Sequence, residues 1–340
     1  MSAARSPRTI ALLTAKVLVS VLLFAWLFRK LQWSAIGPAL RHADPVWVAT
    51  AAMLLIASHL LASYQWGRLL GAAGIELPFW KVVAYYFVGQ FFNNFLPANV
   101  GGDLARTLDA ARAGSSRSTA LSTVILDRLI GTVALGLVAV VATWPAIDRF
   151  HLATAYAGVV VFFVMAVVML RAVLDPRVLA ALERLMARVG LRRFSPALDK
   201  LSGRLAVFRG QRRLLLEVAC VALLVQVMRI GVHVVFARAL GLHIGLTYFF
   251  LFVPLLAVIV SLPISLNGIG VREGAGMVLF GLVGLDRASA FALQFGTYLV
   301  AVGVSLIGGM VFLARIPSRR AKARKPRRAT ERSRPSARPR

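Results

Sequence analysis

Residues 79–103 read FWKVVAYYFVGQFFNNFLPANVGGD, and residues 246–270 read LTYFFLFVPLLAVIVSLPISLNGIG. Each is an apolar arm that runs into a Leu-Pro step, an asparagine and two glycines. The stretch that follows the first, Gly101 to Gly114, is too polar and too short to cross a bilayer. The stretch that follows the second, Val271 to Leu285, is short and begins with Arg272 and Glu273. Irregular backbone at membrane depth is tolerated only where it is buried in protein or lines a cavity. Both regions therefore read as re-entrant hairpins, 79–114 and 246–285.

Around them lie six apolar runs near or above the roughly 20 residues that a spanning helix needs. They fall at 10–28, 45–66, 119–144, 152–172, 213–240 and 287–314. The run at 10–28 follows Arg5 and Arg8 and has no small-x-small cleavage signal after it, so it reads as a retained anchor. The fold class is an all-α polytopic membrane protein of about six full crossings plus two broken hairpins. At 59% hydrophobic and 16% charged residues, the chain is neither a soluble enzyme nor a disordered chain. Cys220, the single cysteine, excludes an internal disulfide and reads as a buried spectator.

Most of the charge behind the net +27 lies between the spans and at the C-terminus. With a cytoplasmic N-terminus and hairpins that return to the side they entered, thirty Lys and Arg fall inside and six outside. That asymmetry predicts cytoplasmic N- and C-termini in the cell inner membrane. The organisation is then a cytoplasmic N-terminus at 1–9, a first membrane half at 10–173, a cytoplasmic linker at 174–212, a second half at 213–314 and a basic disordered tail at 315–340. In the linker, Leu179, Leu182, Met186 and Val189, then Leu198, Leu201, Leu205 and Phe208, recur at helical spacing, with Arg184, Arg188, Lys200 and Arg204 between them. Two amphipathic helices follow, either lying on the inner leaflet or packed under the bundle. Basic segments of this kind attract anionic membrane lipids, and no nucleic acid is expected.

The two hairpin breaks also match each other. Asn94, Pro97, Gly101 and Gly102 stand in the first, and Pro263, Asn267, Gly268 and Gly270 in the second. Arg106 and Arg272 each lie nine residues beyond the proline. The hairpins enter from opposite sides, which is the pattern of an inverted repeat. Charges stand where a bilayer makes them costly: Asp103, Arg106, Asp127, Arg128, Arg229, Arg272 and Glu273. Arg229 and His233 are four apart, hence on one helical face. These residues are the candidate site for an anionic headgroup, with the arginines binding and the acids holding them. A purely structural role stays open for each: Asp127 and Arg128 could pair with Arg106 or Asp103, and Arg272 with Glu273. His59 reads as a helix-contact residue. The histidines have no metal spacing, no cofactor motif is present, and no catalytic residue is identified.

Three motifs in order are similar to the lysylphosphatidylglycerol synthase transmembrane-region family: Asn94-Phe95-Leu96-Pro97 through Gly101-Gly102-Asp103 to Arg106; Leu126-Asp127-Arg128-Leu129-Ile130-Gly131; and Leu262-Pro263-Ile264-Ser265 through Asn267-Gly268 to Arg272-Glu273-Gly274. The resemblance covers roughly residues 10–315. That family includes the flippase-like domain of the multiple peptide resistance factor and the UPF0104-type membrane proteins. It implies an eight-segment flippase-like bundle that handles lipid headgroups. About 25 residues follow the last span, so the relatives' soluble synthase or glycosyltransferase activity is not carried over. The expected function is binding and translocation of an anionic or modified lipid, a phospholipid or a lipid-linked glycan. Two alternatives stand beside it: a membrane-embedded lipid or glycolipid transferase with Asp103 or Asp127 as base, and a non-transporting partner of a separate glycosyltransferase or lipid synthase.

Overall fold

The structure, a computed structural model, describes residues 37, 41–95, 101–113, 116–146, 153–188, 195–261, 268 and 270–323. Among these, eleven α-helices and no strand are found. They are α1 (Pro45–Ala72), α2 (Phe79–Phe95), α3 (Gly101–Ala111), α4 (Arg117–Thr143), α5 (Ala153–Leu174), α6 (Pro176–Arg188), α7 (Ser195–Leu205), α8 (Arg212–Ala239), α9 (Leu246–Ser261), α10 (Val271–Gly281) and α11 (Arg287–Ala323). Five of them, α1, α4, α5, α8 and the Arg287–Arg315 part of α11, are long and apolar enough to cross a membrane. The expected span at 10–28 lies outside the described residues, as do 1–9 and the tail beyond 323. Pro97, Pro263 and Asn267 of the hairpin breaks lie outside them too.

The helix starts follow local chemistry. Asp44 accepts a hydrogen bond from the Val46 amide at 2.8 Å ahead of Pro45, which has no N–H to lose. The Ser116 hydroxyl accepts from the Thr119 amide at 3.0 Å and opens α4. Asp286 accepts from the amides of Ala288 and Ser289 and opens α11.

Two units of four helices make up most of the bundle. In α1–α4 the helices are 28, 17, 11 and 27 residues long, and in α8–α11 they are 28, 16, 11 and 37. The units are inverted relative to each other. The Asp44 amide at the start of α1 donates to the Ala239 carbonyl at the end of α8, at 2.8 Å. Near the other ends, Arg68 and Tyr64 of α1 both reach Glu217 of α8, at 3.0 and 2.7 Å. So α1 and α8 run antiparallel. Each unit also lays its hairpin on the other: α2 packs on α11, and α9 packs on α4. The α2–α11 approach is close enough that a Cβ on Gly308 would meet the backbone of Phe87. Exchange of the two units thus reproduces the packing, as an inverted repeat requires.

Helices α5, α6 and α7 lie between the units in sequence. The amphipathic pair α6 and α7 packs under the bundle at its buried positions. Leu205 and the following Phe208 are fully buried against Leu69, Leu126 and Val173, and Leu179 is buried as well. Arg184, Arg188, Lys200 and Arg204 point to the exposed side. Cys220 is exposed, contrary to the expectation of a buried spectator. An apolar run fixes that a helix is embedded but not which of its faces meets protein.

Candidate functional site

The half-helix α3 carries Arg106 into the interior, where the side chain is 4% exposed. Glycine makes this possible: a Cβ on Gly89 of α2 would stand 2.7 Å from the Arg106 Cγ. The guanidinium lies 5.1 Å from the Trp66 ring of α1 and 5.1 Å from the Tyr86 ring of α2. Its Nη1 donates to Asp127 Oδ2 at 3.0 Å, and its Nη2 to Asp103 Oδ1 at 2.9 Å. Asp127 also accepts from Gln65 Nε2 at 2.8 Å. Arg128 meets Asp103 with two nitrogens, Nε to Oδ2 at 3.0 Å and Nη2 to Oδ1 at 3.0 Å. Gln65, Arg106, Asp103, Asp127 and Arg128 therefore form one network of two arginines and two carboxylates. Buried charges persist when they are paired and hydrogen-bonded in this way, and removal of one member costs about 3–5 kcal/mol.

The opposite wall comes from the second unit and is built differently. Arg229 and His233 share a face of α8, with the His233 Nδ1–H donating to the Arg229 carbonyl at 3.1 Å. Among the described residues the Arg229 guanidinium makes no ion pair. Arg272 lies 4.7 Å over the Tyr298 ring. Glu273 is 1% exposed, and its Oε2 accepts from the Gly270 amide at 2.7 Å, so it caps α10. Gly268 and Gly270 have φ of 73° and 82°, a backbone region that glycine enters without a Cβ clash. The α11 residues Gln294 and Thr297 complete this wall.

Between the walls lies a cavity of about 540 Å³. It is lined by Arg106, Asp127, Arg128, Arg229 and Arg272, which brings four arginines from two distant sequence regions to one space. Asn94 lines it as well, whereas Asp103 stands behind Arg106 and Arg128, and Glu273 is turned to its helix cap. Gly101 is the first residue of α3, and the Gly102 amide donates to Asn93 Oδ1 at 3.0 Å, closing the hairpin arms on each other. Much of the remaining lining is apolar, including Leu55, Leu135, Val253 and Leu256. A polar end beside an apolar wall fits an amphiphile better than a small water-soluble ion.

The charged residues were legible in the sequence, but the glutamines were passed over. Gln65 holds Asp127, Gln226 of α8 donates to the Gly131 carbonyl of α4 at 3.1 Å, and Gln294 faces the cavity. A lone amide in an apolar run is the signal that would have found them. His59 does contact helices, with ring centroids 5.9 Å from Tyr86 and 5.6 Å from Phe87, and it also lines the cavity. Among the described residues no group of three or more His, Cys, Asp or Glu is arranged to hold a metal.

Residues 13–309 match the family model of the lysylphosphatidylglycerol synthase TM region. The chain is also 23% identical over 308 residues to a UPF0104 membrane protein of Pyrococcus horikoshii, a match that covers 83% of this chain and 92% of that protein.

Proposed function

The chain belongs to the lysylphosphatidylglycerol synthase TM region family of membrane proteins, and from that premise we propose that it is a flippase-like lipid translocator. It binds the headgroup of an anionic or modified lipid in the central cavity and carries it across the cytoplasmic membrane. The observation that carries this reading is the convergence of Arg106, Arg128, Arg229 and Arg272, from both inverted units, on one cavity with an apolar wall. Arg229 and Arg272 suit a phosphate, Arg106 and Arg128 are held by carboxylates and shape the facing wall, and the apolar side suits the root of the acyl chains. Two inverted units that exchange hairpins offer a way to open the same site to either leaflet in turn. The charge asymmetry supports cytoplasmic termini, with α6 and α7 on the cytoplasmic side. A separate synthase or glycosyltransferase is the natural supplier of the lipid.

The geometry favours transport over group transfer. Asp103 and Asp127, the carboxylates that a transferase would use as base, are both engaged by arginines. A general base needs a carboxylate that can reach and accept a substrate proton. The test is reconstitution of the full chain in phosphatidylcholine liposomes, with fluorescent lipids in one leaflet and a membrane-impermeant quencher outside. Anionic lipid is expected to exchange leaflets at least tenfold faster than in protein-free vesicles. Exchange no faster than in empty vesicles, across anionic, aminoacylated and glycan-linked lipids, would overturn the reading.

A further inference from the structure

Gln294 of α11 is 1% exposed and lines the central cavity. Among the described residues neither its Nε2 nor its Oε1 has a hydrogen-bond partner. Because both ends are orphaned, rotating the amide by half a turn changes nothing. A buried polar group whose hydrogen bonds are unmade is destabilising, so this residue weakens the fold as it stands. The fold makes room for it specifically. A Cβ on Gly276 of α10 would meet the Gln294 Cγ. Gly276 is the sixth residue of α10, as Arg106 is the sixth residue of α3. Where the first unit fills its cavity wall with a paired arginine, the second leaves a gap and sets a neutral amide in it.

Two further groups face the same cavity. Among the described residues His59 Nδ1 is buried without a hydrogen-bond partner and Arg229 makes no ion pair. A guanidinium calls for an oxyanion, and an orphaned amide calls for a group that donates and accepts at once. A hydroxyl does both. An ammonium only donates, and beside Arg229 and Arg272 it would meet like charge in a poorly screened space.

We propose that Gln294, seated in the recess left by Gly276, reads a neutral hydroxyl-bearing headgroup, glycerol or a sugar, attached to a phosphate held by Arg229. This rests on the reading of the cavity as a lipid-headgroup site and narrows its ligand to a polyol phosphate. A cationic aminoacylated headgroup is disfavoured.

The experiment compares wild type, Gln294→Leu and Gln294→Asn as full chains on four lipids. These are phosphatidylglycerol, a polyisoprenyl-phosphate sugar, phosphatidic acid without headgroup hydroxyls, and lysyl-phosphatidylglycerol. Leaflet exchange in liposomes and lipid-induced thermal shifts in detergent are both read. Gln294→Leu removes an unsatisfied amide, so its lipid-free melting temperature should hold or rise. Its response to the hydroxyl-bearing lipids should fall about tenfold, with that to phosphatidic acid unchanged and Gln294→Asn intermediate. Whichever of the glycerol and sugar lipids loses more identifies the source. Equal losses on all lipids, no loss on any, or a wild-type preference for the lysyl form would overturn the proposal. If the wild type moves no lipid, the transport reading fails, and the thermal shifts still decide the role of Gln294.

Discussion

The half-helices α3 and α10 are both 11 residues long, follow an apolar arm and a Pro-Gly break, and carry an acid at their third position. They use that acid in opposite ways. Asp103 turns inward and grips Arg106 and Arg128, so its wall of the cavity is a closed network of compensating charges. Glu273 turns back and caps its own helix at Gly270, while Arg272 stacks on Tyr298 and, among the described residues, Gln294 has no hydrogen-bond partner. The repeat therefore conserves shape while dividing labour. The first unit supplies rigidity and the second supplies groups that can bind.

The sharpest way to break this comparison is to treat the matched arginines alike. Arg106→Leu leaves the buried Asp127 without its ion pair and Asp103 with Arg128 alone, and should cost about 3–5 kcal/mol, read as a large drop in melting temperature or loss of folded protein. Arg272 stacks on Tyr298 and does not share the carboxylate network of Arg106, so Arg272→Leu should lower melting less than Arg106→Leu does while lipid exchange falls sharply. Similar melting losses in both variants would show that the two walls are equally structural.

A smaller effect probes the two acids. Glu273→Ala removes the α10 cap and should cost about 0.5–2 kcal/mol, whereas Glu273→Gln keeps an acceptor and should recover most of it. Asp127→Asn, which keeps shape and loses charge, should not recover, because Arg106 needs the charge. Rescue of both acids by their amides, in thermal melts, would erase the distinction.

The smallest effect lies outside the cavity, in the α6–α7 pair. Burial, and then the Asp199 carboxylate across the pair, raise the pKa of Glu183 above its ordinary value. The folded chain thus holds this proton more tightly than the unfolded one. The contribution of the protonated pair is complete below the ordinary glutamate value and is lost as the pH climbs through the raised one. Melting followed upward from about pH 4 should show a small decline in that window, and Glu183→Gln should flatten it. A decline that persists in the variant assigns it to another group.

Much of the fold was legible because its signals are local. The spans at 45–66, 119–144, 152–172, 213–240 and 287–314 each contain a helix, and the arms of the two hairpins are the helices that end at Phe95 and Ser261 and begin at Gly101 and Val271. The matched nine-residue spacing misled about equivalence. The helix α3 begins four residues after Pro97 and α10 begins eight after Pro263, so Arg106 sits a turn and a half into its helix and Arg272 in the first turn. Spacing from a proline does not fix the position in a helix whose start lies at a different offset.

By itself the sequence determined a basic, polytopic helical membrane protein with two broken hairpins and buried charge, because hydropathy and backbone breakers act over a few residues. Only the tertiary structure decided that Arg106 is neutralised by Asp103 and Asp127, that Glu273 is spent on a cap, that Gln294 has no hydrogen-bond partner among the described residues and that Cys220 faces outward. Those outcomes depend on which helix faces cross one another between residues as far apart as Gln65 and Asp127. The crossing of faces is a property of the packed bundle, and no window along the chain contains it.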